Sequence, residues 1–187
     1  MKTLALPFLL ALSIPAHAAG SVQDLAISAA LDDPGALYNL GVEFYTGRNV
    51  PKDLSKSAKL WEKASERGIV PAKNNLGFLL FNGLGIQQDQ TRAVGLWRVA
   101  ADLGLDESQW HLGMALFDGT GIAKDRVLGT AWVLCAQHSA VALKDGEIIK
   151  FTSKSSADML DALTNAERTD AVRLAGELEK RHVPQGL

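Results

Sequence analysis

A fixed period of 36 residues constrains the fold of this chain before composition is considered. Leu40-Gly41 is followed by Gly47, Val50, Asp53, Ala64 and Gly68. The same succession returns 36 residues later as Leu76-Gly77, Gly83, Ile86, Asp89, Ala100 and Gly104. It returns again as Leu112-Gly113, Gly119, Ile122, Asp125 and Ala136, with the closing position drifting to Ala140. Self-similarity at this period means stacked supersecondary units, none of which buries its apolar face alone. Such stacks serve mostly as binding surfaces rather than as a core built around a cleft.

Each unit holds two apolar stretches of helical spacing split by a glycine-containing turn. In the first unit Ala36, Leu37, Leu40, Val42 and Phe44 recur at steps of three and four. Pro34 suits a first helical turn, with Asp32 or Asp33 as its cap. Gly47 ends this helix, and Asp53 opens a second one carrying Leu54, Ala58, Trp61 and Ala64 up to Gly68. Helices are expected near 72–82 and 90–103 in the second unit, and near 107–118 and 126–138 in the third. Gly41, Gly77 and Gly113 fall in mid-helix, where glycine is costly, so a close helix crossing is expected there. Ala64, Ala100 and Ala136 are the expected matching contacts.

The flanks differ from the repeats. Lys2, the apolar run Leu4 to Pro15 and the small-x-small sequence Ala16-His17-Ala18 predict a removable secretory signal over 1–18. That run is too short to span a bilayer. The reading places the mature protein in the periplasm, starting at Ala19, with no stable membrane insertion after cleavage. Residues 19–33 are expected to form an N-terminal capping helix, 34–140 the three repeats (34–69, 70–105, 106–140), and 141–187 C-terminal capping helices. In the last region Val141–Ser156 reads as weakly structured, with a loop at Thr152–Ser156 and a short helix from Ala157 to Leu163. Thr164 and Glu167 form a capping box for a final helix whose apolar stripe is Ala171, Leu174, Ala175 and Leu178. No linker separates two domains.

Loss of Lys2 with the signal leaves 18 basic against 21 acidic residues, a net charge of −3. That balance excludes a polyphosphate or nucleic-acid binder, which needs clustered Lys and Arg. The single cysteine, Cys135, has no intramolecular partner for a disulfide and reads as a small buried hydrophobe beside Trp132, Val133, Leu134 and Ala136.

The pattern A-x-x-x-L-G-x-x-[YFL]-x-x-G, a hydrophobic residue, x-x-D, then [LW]-[WV]-x-x-A resembles the Sel-1-like repeat class, relatives of tetratricopeptide repeats, over about 34–140. The third copy departs most, with Ser108 for the early alanine and Ala140 for the closing glycine. The resemblance implies an all-α, right-handed α-solenoid of three helix–turn–helix repeats with capping helices at both ends. It also implies an adaptor role: scaffolds of envelope assemblies, signalling adaptors, or immunity proteins against secreted effectors. The paired cysteines of relatives associated with β-lactam binding are absent, and that association does not carry over.

No catalytic or metal constellation stands out. Asp53, Asp89 and Asp125 recur once per repeat, each before a second helix, and read as N-caps. Gly83-x-Gly85 and Gly119-x-Gly121 lack the Lys-Ser/Thr that a phosphate loop needs. His111 lies beside Trp110, and His138 and His182 lie near expected helix ends. No His-Glu-x-x-His spacing or nucleophile elbow occurs, so no metal, cofactor or catalytic residue is assigned.

In a tetratricopeptide-like stack the first helices line the concave face. Counted from each Leu-Gly pair, the outward positions are Tyr38, Val42 and Tyr45, then Asn74, Phe78 and Phe81, then Trp110, Met114 and Phe117. An apolar, aromatic row of this kind marks a groove for a protein or peptide partner. Two other occupants remain open: the protein's own C-terminal segment, and packing between adjacent first helices. The reading is an exported, non-enzymatic interaction protein of the cell envelope. The alternative is a periplasmic enzyme or small-ligand binder of the cell-wall space.

Overall fold

A computed structural model describes residues 21–143 and 146–182. The secretory-signal reading over 1–18 lies outside the described residues. The described chain is all-helical: α1 (Val22–Ala30), α2 (Pro34–Thr46), α3 (Leu54–Glu66), α4 (Val70–Asn82), α5 (Gln90–Asp102), α6 (Asp106–Asp118), α7 (Arg126–Leu143), α8 (Gly146–Asp161) and α9 (Asn165–His182). Its packing divides into two compact units, one ending at Leu96 and one beginning at Trp97. The division falls inside α5 rather than in a linker.

In the first unit α1 packs on α2, α2 on α3 and α3 on α4. In the second, α6 and α8 pack on α7, and α9 packs on α7 as well. The repeated residues explain the repeated turns. Gly47, Gly83 and Gly119 end α2, α4 and α6 in the left-handed conformation, with φ of 69°, 67° and 77°. A side chain is strained at such a φ, which accounts for glycine at this one position in every repeat. Six residues later the chain is tied back. The amides of Asp53, Asp89 and Asp125 donate to the carbonyls of Phe44, Leu80 and Leu116 at 2.8, 2.9 and 2.8 Å. Their carboxylates in turn accept from the amides of Lys56, Arg92 and Leu128, each at 2.9 Å. The three aspartates are therefore N-caps, and Asp33 caps α2 by accepting from Ala36 N at 2.6 Å.

The backbone N–H of Lys56 holds the Asp53 carboxyl below the usual carboxylate range. Its capping contribution is present at neutral pH and is lost as pH falls through that lowered value. For Asp89→Ala and Asp125→Ala we expect about 1 kcal/mol of lost stability each, read by urea denaturation. No loss in either variant would show that these turns stand without the caps.

Gly41 and Gly113 are close-approach sites, but not against the expected alanines. A Cβ on Gly41 would lie 2.5 Å from Trp61 Nε1. A Cβ on Gly113 would lie 2.6 Å from the carbonyl oxygen of Gly129 and 2.7 Å from Val133 Cγ2. The facing residues are thus Trp61 in one repeat and the Gly129–Val133 turn in another, rather than Ala64 and Ala136. An indole fits over α2 only if α2 has no side chain there, and Ser57 Oγ then reaches Gly41 O at 2.9 Å.

The C-terminal region differs most from expectation. Residues 152–156 are not a loop, and no separate short helix follows; α8 runs unbroken from Gly146 to Asp161. Its hydroxyls are satisfied inside the helix, Thr152 Oγ1 on Ile148 O at 2.8 Å and Ser155 Oγ on Phe151 O at 3.2 Å. Ser156 Oγ donates to Gln137 Oε1 of α7 at 2.7 Å. Packing against α7 overrides the poor helix propensity of a Thr/Ser run. α7 itself extends five residues past His138, which therefore sits within the helix, its Nδ1 2.5 Å from Glu179 Oε1 of α9. The Thr164–Glu167 box is present, with Thr164 N on Glu167 Oε2 at 2.8 Å. Cys135 is buried against α9, its Sγ 3.4 Å from Ala175 O, and burial pushes its thiol up to about 12.

Candidate interaction site

The nine residues of the expected aromatic row lie on α2, α4 and α6, three per helix. The exposure expected of them is found at only three. Tyr38, Val42, Asn74, Phe78, Phe81 and Trp110 are buried. Tyr45, Met114 and Phe117 are half-buried. The correction has a visible physical cause in both units.

In the first unit Tyr38 is fully buried beside Trp61, with ring centroids 6.5 Å apart. The indole Nε1 donates to Tyr38 O at 3.1 Å, so the second helix takes up the Tyr38 side of α2 as well as the Gly41 side. Tyr45 packs on the same indole at 5.5 Å, and the Lys52 ammonium stands 5.3 Å from its ring centroid. Burial of the Tyr45 phenol raises its pKa. On α4, Asn74 Nδ2 donates to Asn75 Oδ1 at 3.4 Å.

In the second unit the C-terminal segment provides the cover. Trp110 is 4% exposed. Its indole Nε1 donates to Ser155 Oγ at 3.1 Å, and its ring meets Phe151 edge-on at 4.6 Å. Both partners belong to α8, the stretch that reads as poorly structured in the sequence. Occupancy by the chain's own C-terminal segment is thus realised at Trp110. Phe117 keeps partial exposure, with the Arg126 guanidinium 5.3 Å from its ring centroid.

α6 also buries a polar set, Asp106, Glu107, Ser108, Gln109 and His111, of which sequence reasoning singled out only Ser108 and His111. Gln109 Nε2 reaches Ala101 O at 3.4 Å. The His111 ring stacks on Trp97 at 4.5 Å and 11°, with Trp110 edge-on at 5.0 Å. Removal from water lowers the His111 pKa to about 4. Its folded-state value lies below its unfolded one, so the unfolded chain binds the proton more readily. Stability from this residue is complete above about pH 6.5 and falls as pH drops towards 4. The expected loss over that window is roughly 3 kcal/mol. The slope of unfolding free energy against pH should flatten there in His111→Gln. An unchanged slope would remove His111 as the cause.

No group of three or more His, Cys, Asp or Glu positioned to hold a metal occurs among the described residues. No helix among them is long and apolar enough to cross a membrane. What the geometry offers is surface: helix pairs locked by a buried indole or a glycine crossing, with aromatic side chains half-exposed near the ends of α2 and α6.

That helix-pair architecture, with its capped and glycine-ended turns, recurs in known proteins. The Sel1 repeat matches residues 34–69, 70–105 and 106–136. The chain belongs to the Sel1 repeat family. Sel1-repeat proteins generally mediate protein–protein interaction, and their repeat fold is typically a non-catalytic scaffold. Among solved structures the chain is similar to c5321, a protective antigen present in uropathogenic Escherichia coli strains displaying an SLR fold. That match has 26% identity and a TM-score of 0.76 over 88% of this chain and 33% of the antigen, so the chain spans about a third of its length. It is also similar to a Sel1 repeat protein from Oxalobacter formigenes, at 26% identity and a TM-score of 0.57 over 71% of this chain and 97% of that one. No curated protein matches the chain.

Proposed function

We propose that this Sel1-repeat chain is an exported, non-enzymatic protein of the cell envelope that binds a protein partner, as a scaffold or as an immunity protein against a secreted effector. The observation that carries the reading is the run of three Sel1 repeats whose first-helix aromatic row ends in half-exposed side chains. Tyr45 and Phe117 occupy the same repeat position, and Met114 lies one turn before Phe117. Aromatics and Met are the residue types enriched at interface cores. Export rests on the Lys2, Leu4–Pro15 and Ala16-His17-Ala18 sequence.

The test has two arms on the native protein. N-terminal sequencing of the periplasmic fraction should give Ala19 as the first residue; recovery of Met1 in the membrane pellet rejects export. Met114→Asp and Phe117→Asp should abolish capture of a partner from an envelope fraction while melting stays close to that of the parent chain. Retained capture rejects these residues as the contact. A toxin gene beside the coding sequence favours the immunity role, and a polysaccharide operon favours the scaffold.

A further inference from the structure

The near-neutral total charge conceals a local concentration. From Arg48 to Arg67 the chain holds six basic and three acidic residues, a net of +3 in a chain of net −2, which leaves −5 for the remainder. The basic residues are not spread around α3. Lys56, Lys59 and Lys63 fall within about 60° of arc at 100° per residue. All three are exposed, as are Arg48 and Lys52 at the turn that leads into the helix. The opposite face of α3 is the packed one, with Ala58, Trp61 and Ala64 buried.

Local pairing neutralises only part of this stripe. Arg67 pairs with Asp32, and Glu62 pairs with Arg92. Lys56 Nζ is 3.4 Å from Asp53. Glu66, also exposed, flanks the stripe at the far end of the helix. Lys59 and Lys63 make no ion pair among the described residues. Repeat packing does not require these lysines. At the positions of Lys59 and Lys63 the second repeat has Gly95 and Val99, and the third has Ala131 and Cys135. The N-terminal end of the stripe lies over aromatic rings, with the Lys56 ammonium 5.0 Å from the Phe44 centroid and the Lys52 ammonium 5.3 Å from the Tyr45 centroid. Both rings are half-buried.

We propose that the outer face of α3 docks on an anionic lipid surface. The residue choice decides between polyanions. Lysines on flexible stems act as point charges and suit a diffuse plane of headgroup charge, whereas bidentate capture of one phosphate or carboxylate calls for arginine. Half-exposed aromatics beside the charges match the headgroup boundary, where rings of this kind concentrate. The attachment is peripheral, electrostatic and screened by salt. It shares Tyr45 with the partner reading above, but its lysines on α3 are separate from Met114 and Phe117 of α6, the residues that test that reading.

The probe is co-sedimentation of the purified chain with phosphatidylcholine vesicles, with and without phosphatidylglycerol, over a salt series. The expected result is binding to the phosphatidylglycerol vesicles alone, released as salt rises. Lys59→Gln with Lys63→Gln should weaken it about thirtyfold, while Lys150→Gln with Lys154→Gln leaves it nearly unchanged. Circular dichroism of both variants checks that they are folded. Equal binding to the two vesicle types, no binding to either, or undiminished binding by the Lys59/Lys63 variant overturns the proposal. Binding to an acidic peptide in place of the vesicles also overturns it, and assigns the stripe to an acidic protein.

Discussion

Replacing Trp110 by Ala is expected to lower the unfolding free energy by about 3–5 kcal/mol, the range for truncating a buried aromatic. The indole is buried between α6 and α8, edge-on to Phe151 and bonded through Nε1 to Ser155 Oγ at 3.1 Å. Removing it leaves a cavity and takes away the N–H that Ser155 Oγ accepts from. Trp110→Phe keeps the ring contact and loses the bond, so it should cost only about 1 kcal/mol for the missing hydrogen bond, plus the smaller ring volume. Denaturant titration of the two variants measures the difference. Amide exchange should locate it, with α8 losing protection in Trp110→Ala before α3 does. If Trp110→Ala stays within about 1 kcal/mol of the parent chain, α8 does not hold this ring, and Trp110 returns to the partner-facing row.

Trp61→Ala should be as damaging to the first unit, again by about 3–5 kcal/mol. Trp61 is fully buried, donates to Tyr38 O at 3.1 Å and packs on Tyr45 at 5.5 Å. It also fills the space above Gly41, where an added Cβ would sit 2.5 Å from the indole nitrogen. Gly41→Ala alone should therefore destabilise by about 1–3 kcal/mol through overpacking. In the Trp61→Ala background the same change meets no ring, and helix propensity then favours alanine by up to about 1 kcal/mol. The two substitutions are thus strongly non-additive, and a double-mutant cycle by urea denaturation reads the coupling. Additive costs would show that the glycine is not there to admit the indole.

These two tryptophans mark how far the sequence could be read. The period of 36, the glycine after each first helix and the aspartate before each second helix were legible because they are local devices. A left-handed turn and an N-cap need particular residue types at particular backbone positions, whatever surrounds them. The Thr164–Glu167 box was legible for the same reason. The Thr152–Ser156 stretch was misread because serine and threonine compete with the helix only while their hydroxyls lack other partners. Gln137 of α7 supplies one such partner, and nothing near residue 156 in sequence announces it.

The candidate site shows the same division. A repeat pattern places Tyr38, Phe78 and Trp110 on one helical face, because helical geometry alone decides that. It does not say what lies against the face. Tyr38 is taken up beside Trp61, 23 residues away, and Trp110 by Ser155, 45 residues away. Such contacts depend on where whole helices come to rest, which is set by packing summed over many side chains. The sequence by itself determined the repeat, the caps and glycine turns within it, and the family. Only the tertiary structure decided that six of nine row residues are buried, that α8 rather than a partner covers Trp110, and that the lysines of α3 face outward.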